Sequence, residues 1–380
     1  MMNGIGLYLH FPFCVRKCRY CDFLSFPPDE ETKGRYAAAL IREIRAYGGA
    51  LRDREVDSVF LGGGTPSVMP VPHLRRIFEV LRETFRIAPG AEITMEVNPG
   101  TVTEPLMELI REEVSRVSLG VQSFDDRELA FLGRIHTASE ADRSVERLRM
   151  AGVNNLNLDL MSGLPDQTEE SWEKTLIHAL SLRPEHISAY SLIVEEGTPF
   201  AAMRKEGRLP LPDEDTERRM YARTGEILAA AGFRRYEISN YAREGFACRH
   251  NIRYWRRGEY LGLGLGAASL MDETRWRNTR SLKTYLDGSA SPEAILRDVE
   301  RLDRKSEIEE FMFLGLRMTD GITEEAFRHA FALSLADVYG DVIRKLEREG
   351  LMTGDGRGRF RLTDYGIDIS NEVLAEFLLD

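Results

Sequence analysis

The chain has 380 residues, of which 43% are hydrophobic and 30% are charged, a composition typical of a soluble globular protein. Its formal net charge of −11 disfavours nucleic-acid binding, which needs a basic surface. No apolar run reaches membrane-spanning length, and the Met-Met-Asn-Gly-Ile-Gly start lacks the charged and apolar regions of an export signal. Four cysteines in a chain of this length fit a reducing compartment, so we expect a cytoplasmic protein, with peripheral membrane contact left open.

The first predicted strand, residues 5–11, leads directly into a loop that carries three of the four cysteines. Cys14, Cys18 and Cys21 have the spacing C-x-x-x-C-x-x-C. Each iron of a cubane [4Fe-4S] cluster takes one ligand, so three thiolates leave one iron open to a substrate or cosubstrate. A structural zinc site is the alternative, but such sites favour two separated C-x-x-C pairs, and only the distant Cys248 remains here. The spacing therefore favours a cluster with an open iron.

Strands and helices alternate over about two thirds of the chain. In the segment 73–85, for example, Leu74, Ile77 and Leu81 share one helical face. Repeated strand–helix units predict a parallel sheet with right-handed connections, and we favour a TIM-like barrel. The predicted strands are 56–61, 92–97, 115–121, 155–160 and 186–192, and the predicted helices are 73–85, 104–113, 169–182 and 213–231. Further helical segments precede residue 151, and another extended segment begins at 236–239.

Polar residues or glycines occur where each predicted strand ends. Chemistry in a βα barrel takes place at the carboxyl ends of the strands. Any one of these residues is explained by a turn or a helix cap, but together on one rim they indicate a site. They are the cysteine loop, Gly62-Gly63-Gly64-Thr65-Pro66, Glu96, Gln122-Ser123, Asp159 and Tyr190-Ser191. The glycines would let the backbone approach a bound ligand closely, and a tight turn is their alternative explanation.

A second informative segment, residues 248–255, reads Cys-Arg-His-Asn-Ile-Arg-Tyr-Trp. A histidine beside a cysteine, followed by aromatic residues, can offer haem an axial ligand and a flat apolar wall. The residues alone favour the alternative, a packed strand or helix whose aromatic side chains belong to the core. The following glycine alternation at 260–269 is not a dinucleotide fingerprint, and its glycines would allow close approach to the barrel mouth.

The character of the chain changes at about Leu302. The loop 354–358 before a short strand resembles the wing of a winged-helix domain. Acidic residues alternate with basic ones there, which favours a protein contact or a lid over DNA binding. The predicted helices are 306–318, 324–331, 335–349 and one from 363, with a strand at 359–362. We divide the chain into a barrel (1–240), an extension (241–300) and a C-terminal domain (301–380).

The string Y-L-H-F-P-F-C-V-R-K-C-R-Y-C-D-F, residues 8–23, resembles the oxygen-independent coproporphyrinogen III oxidase family of radical S-adenosylmethionine (SAM) proteins. The H-N-x-x-Y-W string that begins at His250 resembles the haem chaperone (HemW-like) branch of that family. The resemblance implies an α/β fold, a partial (β/α)6 TIM-like barrel with a small, mainly helical, winged-helix-like C-terminal domain. It also makes His250 the candidate haem ligand, with Cys248 as the nearest competitor.

The resemblance further implies a set of cofactor contacts. The cluster would be held by Cys14, Cys18 and Cys21, and its open iron would chelate the amino and carboxylate groups of SAM. The SAM contacts that it implies are Tyr8, Tyr20, Gly63, Gly64, Thr65, Glu96, Gln122, Arg134, Asp159, Ser191 and Ala268. A carboxylate side chain can accept hydrogen bonds from ribose hydroxyls, and an arginine can donate hydrogen bonds to the carboxylate of SAM.

Two departures from the oxidase pattern favour the chaperone branch. Phe23 stands where the oxidase has a further cysteine, and the chain reaches Tyr8 without the oxidase's N-terminal extension. We therefore expect a haem chaperone that transfers haem to acceptor proteins, membrane-bound respiratory enzymes among the candidates. We also expect an electron donor and no nucleic-acid partner, and a homodimer is left open. The alternatives are the oxidase itself, or a radical SAM enzyme with another large substrate, so enzymatic activity is also left open.

Overall fold

The computed structural model describes residues 4–379. Six parallel strands stand side by side in chain order, each joined to the next by at least one helix. They are β1 (Ile5–Phe11), β2 (Glu55–Gly63), β3 (Arg86–Val97), β4 (Arg116–Gln122), β5 (Leu156–Ser162) and β6 (His186–Ser191). All six carboxyl ends therefore lie at one edge of the sheet, which confirms the predicted partial (β/α)6 barrel.

The helices of the barrel cover the outer face of the sheet. They are α1 (Glu30–Tyr47), α2 (Val71–Thr84), α3 (Glu104–Glu113), α4 (Asp126–Leu132), α5 (Ala138–Met150), α6 (Glu169–Ser181), α7 (Pro199–Lys205) and α8 (Glu214–Ala230). Helix α2 buries Leu74, Ile77 and Leu81 against the strands, as the periodicity predicts. Helix α1 has no counterpart among the predicted helices, because Gly34 and several charges interrupt its first turns.

The sheet continues beyond the barrel on both sides. Beside β6 lie β8 (Asn240–Ala242) and β7 (Arg234–Arg235). The extended segment predicted to begin at 236–239 is wrong in position, because those residues connect these two strands. Beside β1 lie β9 (Tyr260–Leu263), β10 (Ala268–Met271), β11 (Thr274–Asn278) and β12 (Leu296–Arg301). Within residues 4–379 the outer strands β7 and β12 do not pair, so the barrel is open between them.

Three short helices belong to the 241–300 extension: α9 (Arg249–Trp255), α10 (Leu282–Gly288) and α11 (Pro292–Ile295). Strand β9 pairs with β1 in parallel, while β10 to β12 are antiparallel to their neighbours. Leu261, Leu263 and Tyr285 are buried in the same hydrophobic core as the barrel strands. The extension thus shares the core of the barrel and widens its sheet.

The C-terminal domain has a core of its own, in which Phe327, Tyr339 and Phe377 are completely buried or nearly so. Its sheet has the order β13 (Ile322–Thr323), β15 (Arg359–Leu362) and β14 (Met352–Gly354), so residues 355–358 form the turn of a hairpin, as the wing comparison predicts. Its helices are α12 (Arg304–Gly315), α13 (Glu324–Phe331), α14 (Leu335–Arg348), α15 (Asp364–Asp368) and α16 (Ser370–Ala375). None of the helices within residues 4–379 combines the length and apolar character that crossing a bilayer requires.

Candidate functional site

The cysteine loop lies at the carboxyl end of β1, where it meets the loops that follow β2 and α4. Cys14, Cys18 and Cys21 are all free thiols, and each is partly exposed. The Cys14 Sγ atom lies 3.4 Å from Thr65 Oγ1, and the Cys18 Sγ atom lies 3.6 Å from Arg134 Nη1. The loop thus presents its thiols at the carboxyl rim of the barrel.

These thiols suit a polynuclear cluster. Within residues 4–379 no three Cys, His, Asp or Glu side chains converge closely enough to share a single metal ion. A cubane does not need such convergence, because each thiolate binds a different iron. Cys14, Cys18 and Cys21 fit that arrangement as three accessible donors on one loop, and the thiols would lose their protons on binding iron.

The glycine-rich segment at the end of β2 packs so closely against its neighbours that Gly63 and Gly64 leave no room for a side chain. Gly64 N donates a hydrogen bond to Phe11 O at 2.8 Å, and a Cβ atom on Gly64 would lie 2.6 Å from that oxygen. Gly63 has φ +104°, and a Cβ atom there would meet the His10 ring at 2.3 Å. This close packing brings the backbone of the segment against the cysteine loop.

Two carboxyl groups, of Glu96 on β3 and Asp159 on β5, lie inside the barrel near this rim. Glu96 Oε2 accepts a hydrogen bond from Gly63 N at 3.0 Å. Asp159 accepts from Asn157 Nδ2 at 2.7 Å and from Ser118 Oγ at 3.0 Å. Desolvation, reinforced by the charge of Asp159, raises the pKa of Glu96 to about 8, and desolvation also raises the pKa of Asp159. A ligand that brought positive charge or hydroxyl donors would favour the ionised forms of both groups.

Arg134 and Gln122 complete the rim. Arg134 Nη2 donates to Asn98 Oδ1 and to Gly120 O, both at 2.6 Å, while its buried Nε has no partner within residues 4–379. Gln122 has φ +70°, an uncommon conformation for a residue other than glycine, and its Oε1 accepts from Tyr190 OH at 2.9 Å. The unpaired Nε–H of Arg134 could donate a hydrogen bond to a carboxylate.

The structure brings most of the predicted SAM contacts to this one rim. Tyr8, Glu96 and Asp159 lie within strands of the barrel, and Ser191 ends β6 with its Oγ 3.2 Å from Ser162 Oγ. Arg134 follows helix α4. The predicted contacts on the barrel strands and the loops that follow them are Tyr8, Tyr20, Gly63, Gly64, Thr65, Glu96, Gln122, Asp159 and Ser191. Ala268 stands apart, exposed at the start of β10.

The predicted haem ligand lies at the other end of the barrel. His250 belongs to helix α9, which packs beneath the amino ends of the strands. Its Nδ1 lies 3.0 Å from Ser58 Oγ near the start of β2, and its Nε2 lies 2.9 Å from Tyr254 OH. Cys248 Sγ donates to Glu92 Oε1 at 3.4 Å, and both Cys248 and His250 are buried.

The expectation that this segment presents an open ligand to a porphyrin is not met in the described conformation. Both ring nitrogens of His250 are engaged, and desolvation lowers its pKa to about 3, so the ring is neutral. Desolvation raises the pKa of Cys248 to about 12, which keeps it a thiol rather than a thiolate. Either side chain could reach haem iron only after helix α9 moves.

Several residues that shape the site are absent from the sequence-based set. Asn98 Nδ2 donates to Thr65 Oγ1 at 2.7 Å, and the amide oxygen of Asn98 accepts from Arg134. Its position directly after β3, before a proline, is a turn signal that resembles the other strand-end signals. Asn157 and Ser118, which hold Asp159, lie within buried strands and carry no such signal.

Comparison with known proteins agrees with this architecture. The family model of the Radical SAM superfamily matches residues 8–179, and that of the HemN C-terminal domain matches residues 302–369. Among solved structures, coproporphyrinogen III oxidase (HemN) from Escherichia coli superimposes with a TM-score of 0.87 over 99% of this chain and 90% of that chain. Its sequence is 23% identical, so this likeness shows the fold alone.

Curated relatives match the chain over nearly its whole length. The protein named heme chaperone HemW of Lactococcus lactis is 37% identical over 98% of this chain and 97% of the relative. HemW of Escherichia coli is 35% identical over 99% and 98%, and the mouse mitochondrial radical S-adenosyl methionine domain-containing protein 1 is 34% identical over 98% and 87%. The chain therefore belongs to the radical SAM superfamily and, within it, to the family of the proteins named heme chaperone HemW.

Proposed function

We propose that this protein is a haem chaperone, which binds haem and transfers it to acceptor proteins. The observation that carries the proposal is the match of the whole chain, with its cysteine loop at the barrel rim, to relatives named heme chaperones. Haem is the cargo in this proposal. The acceptors belong to the class of haem-requiring proteins, and membrane-bound respiratory enzymes are candidates within it.

Cys14, Cys18 and Cys21 hold a [4Fe-4S] cluster in this proposal, and SAM binds beside it. Arg134 lies next to Cys18 with an unpaired Nε–H, and therefore suits the carboxylate of SAM. Glu96 and Asp159 can bind the ammonium group and the ribose hydroxyls of SAM. A positive charge or a hydroxyl donor from SAM would stabilise the ionised form of each carboxyl group in this desolvated interior. When bound, the cluster and SAM supply one-electron chemistry, and the protein contributes orientation and exclusion of water.

The contact surface for an electron donor is part of the same proposal. Val15 and Phe23 on the cysteine loop are 56% and 67% exposed, and Arg16 and Lys17 are exposed between them. Exposed apolar side chains with neighbouring positive charge suit an acidic protein partner. We also propose a cytoplasmic location with peripheral membrane contact, and a homodimer as the oligomeric form to test.

The oxidase function is a second candidate, because the string at residues 8–23 resembles the oxygen-independent coproporphyrinogen III oxidase family. The sequence favours the chaperone, since Phe23 replaces the further cysteine of the oxidase pattern. Anaerobic reconstitution, followed by haem titration and a coproporphyrinogen III assay with SAM and reductant, separates the two. We expect stoichiometric haem binding and no turnover. Robust turnover would assign the chain to the oxidases, and an intact cluster without haem binding would exclude the chaperone function.

His250 remains the haem ligand proposed from the sequence, with Cys248 as its competitor. This assignment requires helix α9 to shift, because both side chains are buried and hydrogen-bonded. Histidine and thiolate ligation differ in optical and spin signatures, so the variants His250→Ala and Cys248→Ala distinguish them.

A further inference from the structure

Arg116, at the start of β4, is buried inside the barrel without a hydrogen-bond partner. Its side chain is 2% exposed, and within residues 4–379 its guanidinium forms neither a hydrogen bond nor an ion pair. Arginine is almost never fully buried unless it is paired. Removing a guanidinium from water costs free energy, which nearby negative charge has to offset. The position of Arg116 therefore requires carboxylates close by.

Two carboxyl groups lie on the strands to either side of β4. Arg116 pairs with Thr94 on β3, which lies two residues before Glu96. Arg116 also lies two residues before Ser118, whose Oγ donates to Asp159 on β5 at 3.0 Å. Paired residues, and residues two apart on a strand, project from the same face of a sheet. The guanidinium therefore shares the inner face of the barrel with Glu96 and Asp159.

The charge of Arg116 acts on both carboxyl groups. Desolvation raises the pKa of Glu96 and that of Asp159, and the charge of Asp159 raises that of Glu96 further. Arg116 lowers the pKa of both groups against this effect. A cation in a desolvated interior favours the ionised form of a carboxyl group. Arg116 thus reduces the free-energy cost of having two negative charges in this part of the barrel.

Most of the other titratable groups inside the barrel are neutral. Desolvation raises the pKa of the tyrosines that face the two carboxyl groups, so their phenols stay protonated near neutral pH. These tyrosines are Tyr8, Tyr20, Tyr190 and Tyr254. Desolvation lowers the pKa of His186 and of His250, which face Arg116, so neither ring is charged. Arg134 is charged but lies at the rim with Nη1 directed to Cys18, which leaves Arg116 as the positive charge on the interior side.

A third carboxylate, that of Glu92, lies towards the amino end of β3 and is bound by other donors. It accepts from Cys248 Sγ at 3.4 Å, from Arg249 N at 3.0 Å and from His250 N at 3.1 Å. Glu96, in contrast, accepts a single hydrogen bond within residues 4–379, from the backbone of the glycine-rich segment. Arg116 therefore matters most for the carboxyl groups near the rim.

We propose that Arg116 is a positioning residue of the SAM site, whose guanidinium stabilises Glu96 and Asp159 as carboxylates when SAM binds. The proposal rests on the SAM binding proposed above and adds the residue that supports its two carboxylates from beneath. Arg116 acts through them and makes no contact with SAM. An arginine retained for structure alone would use its donors to join neighbouring segments, whereas this guanidinium makes no such bond within residues 4–379.

The test is a calorimetric titration of the cluster-loaded protein with SAM at several values between pH 6 and pH 9. Arg116→Met removes the charge and keeps much of the volume. It is expected to lower SAM affinity at pH 7 by about tenfold, which corresponds to a shift of about one pKa unit in the carboxyl groups. The deficit should narrow towards pH 9, because the carboxyl groups then ionise without the cation. Arg116→Lys keeps the charge and should retain most of the affinity at every pH.

A second comparison separates the electrostatic role from a structural one. In the Glu96→Gln background one of the two carboxylates is already absent, so Arg116→Met should lower SAM affinity less there than in the unchanged protein. Arg111→Met, at an exposed position of α3, is the matched control and should bind SAM normally. Cluster content and denaturant unfolding of each variant show whether the barrel is intact, and Arg116→Gln replaces Arg116→Met if the latter does not fold.

Two outcomes would overturn the proposal while the SAM site stands. One is an Arg116→Met variant with the affinity and pH profile of the unchanged protein. The other is a loss of affinity that is equal at every pH and is shared by Arg116→Lys, which would make the role structural. If the unchanged protein binds no SAM, the SAM site proposed above is wrong, and the role of Arg116 fails with it.

Discussion

Arg134 and Cys18 join two parts of the rim that are 116 residues apart in the chain, through a contact of 3.6 Å between Nη1 and Sγ. The same guanidinium is anchored to Asn98 and Gly120 at the ends of β3 and β4. Arg134 therefore holds the cysteine loop against the barrel rim, and its guanidinium places a positive charge beside the Cys18 sulfur.

The first prediction concerns the cluster ligands. Substituting alanine for Cys14, Cys18 or Cys21 should abolish the [4Fe-4S] cluster, because each supplies the thiolate of one iron. Cys248→Ala should retain it, since Cys248 is buried at the opposite end of the barrel. Iron and sulfide content after anaerobic reconstitution measures both. A cluster that depends on Cys248 but survives Cys18→Ala would contradict the assignment.

The second prediction concerns SAM affinity. Glu96→Gln and Asp159→Asn each remove a charge-assisted contact, with an expected loss of about 1.5–3 kcal/mol in binding free energy. Calorimetric titration of the reconstituted protein with SAM gives the affinity. Glu146→Gln, at an exposed position of α5, is the matched control and should bind SAM normally. Unchanged affinity in both variants would remove these two residues from the SAM site.

The third prediction concerns the glycine-rich segment. Gly64→Ala places a Cβ atom 2.6 Å from Phe11 O, so the segment must move away from the cysteine loop. We expect reduced cluster retention and weaker SAM binding, together with a loss of about 1–3 kcal/mol in stability. Gly90→Ala is the control, because nothing lies within 4 Å of a Cβ atom there. Equal effects of the two substitutions, in cluster assay and in denaturant unfolding, would contradict this account.

The fourth prediction concerns pH. Glu43 on α1 is completely buried and accepts hydrogen bonds from Tyr285 OH and Asn278 Nδ2, both at 2.6 Å. Desolvation raises its pKa to about 7 from 4.5, so the folded state binds the proton more tightly than the unfolded state. The contribution of protonated Glu43 to the free energy of unfolding is fully present below pH 4.5 and is lost as the pH rises towards 7.

Denaturant unfolding between pH 5 and pH 8 measures this loss, which amounts to at most about 3 kcal/mol. Glu43→Gln cannot titrate and should flatten the dependence, although its absolute stability will fall. Glu31→Gln, on the exposed side of the same helix, is expected to leave the slope unchanged. An unaltered slope in the Glu43 variant would assign the titration to another group.

Local signals in the chain were enough to predict much of the fold and of the candidate rim. The cysteine spacing, the glycine run before Thr65 and the polar residues at Glu96 and Asp159 each lie within a few residues of a strand that its own apolar pattern predicts. Parallel strands in a βα barrel bring their carboxyl ends to one edge. A residue near the carboxyl end of any of these strands could therefore be assigned to the rim from its position in the sequence.

Other features depend on contacts between distant segments, which local patterns do not specify. The H-N-x-x-Y-W string does not reveal whether its histidine is open to a ligand or packed beneath the barrel. The contacts of His250 with Ser58 and Glu92 show that it is packed. Tyr260 likewise pairs with Gly6, 254 residues earlier in the chain, and also with Leu270. Strand pairing across such distances is set by the packing of the complete core, so the faces that result become apparent only in the tertiary structure.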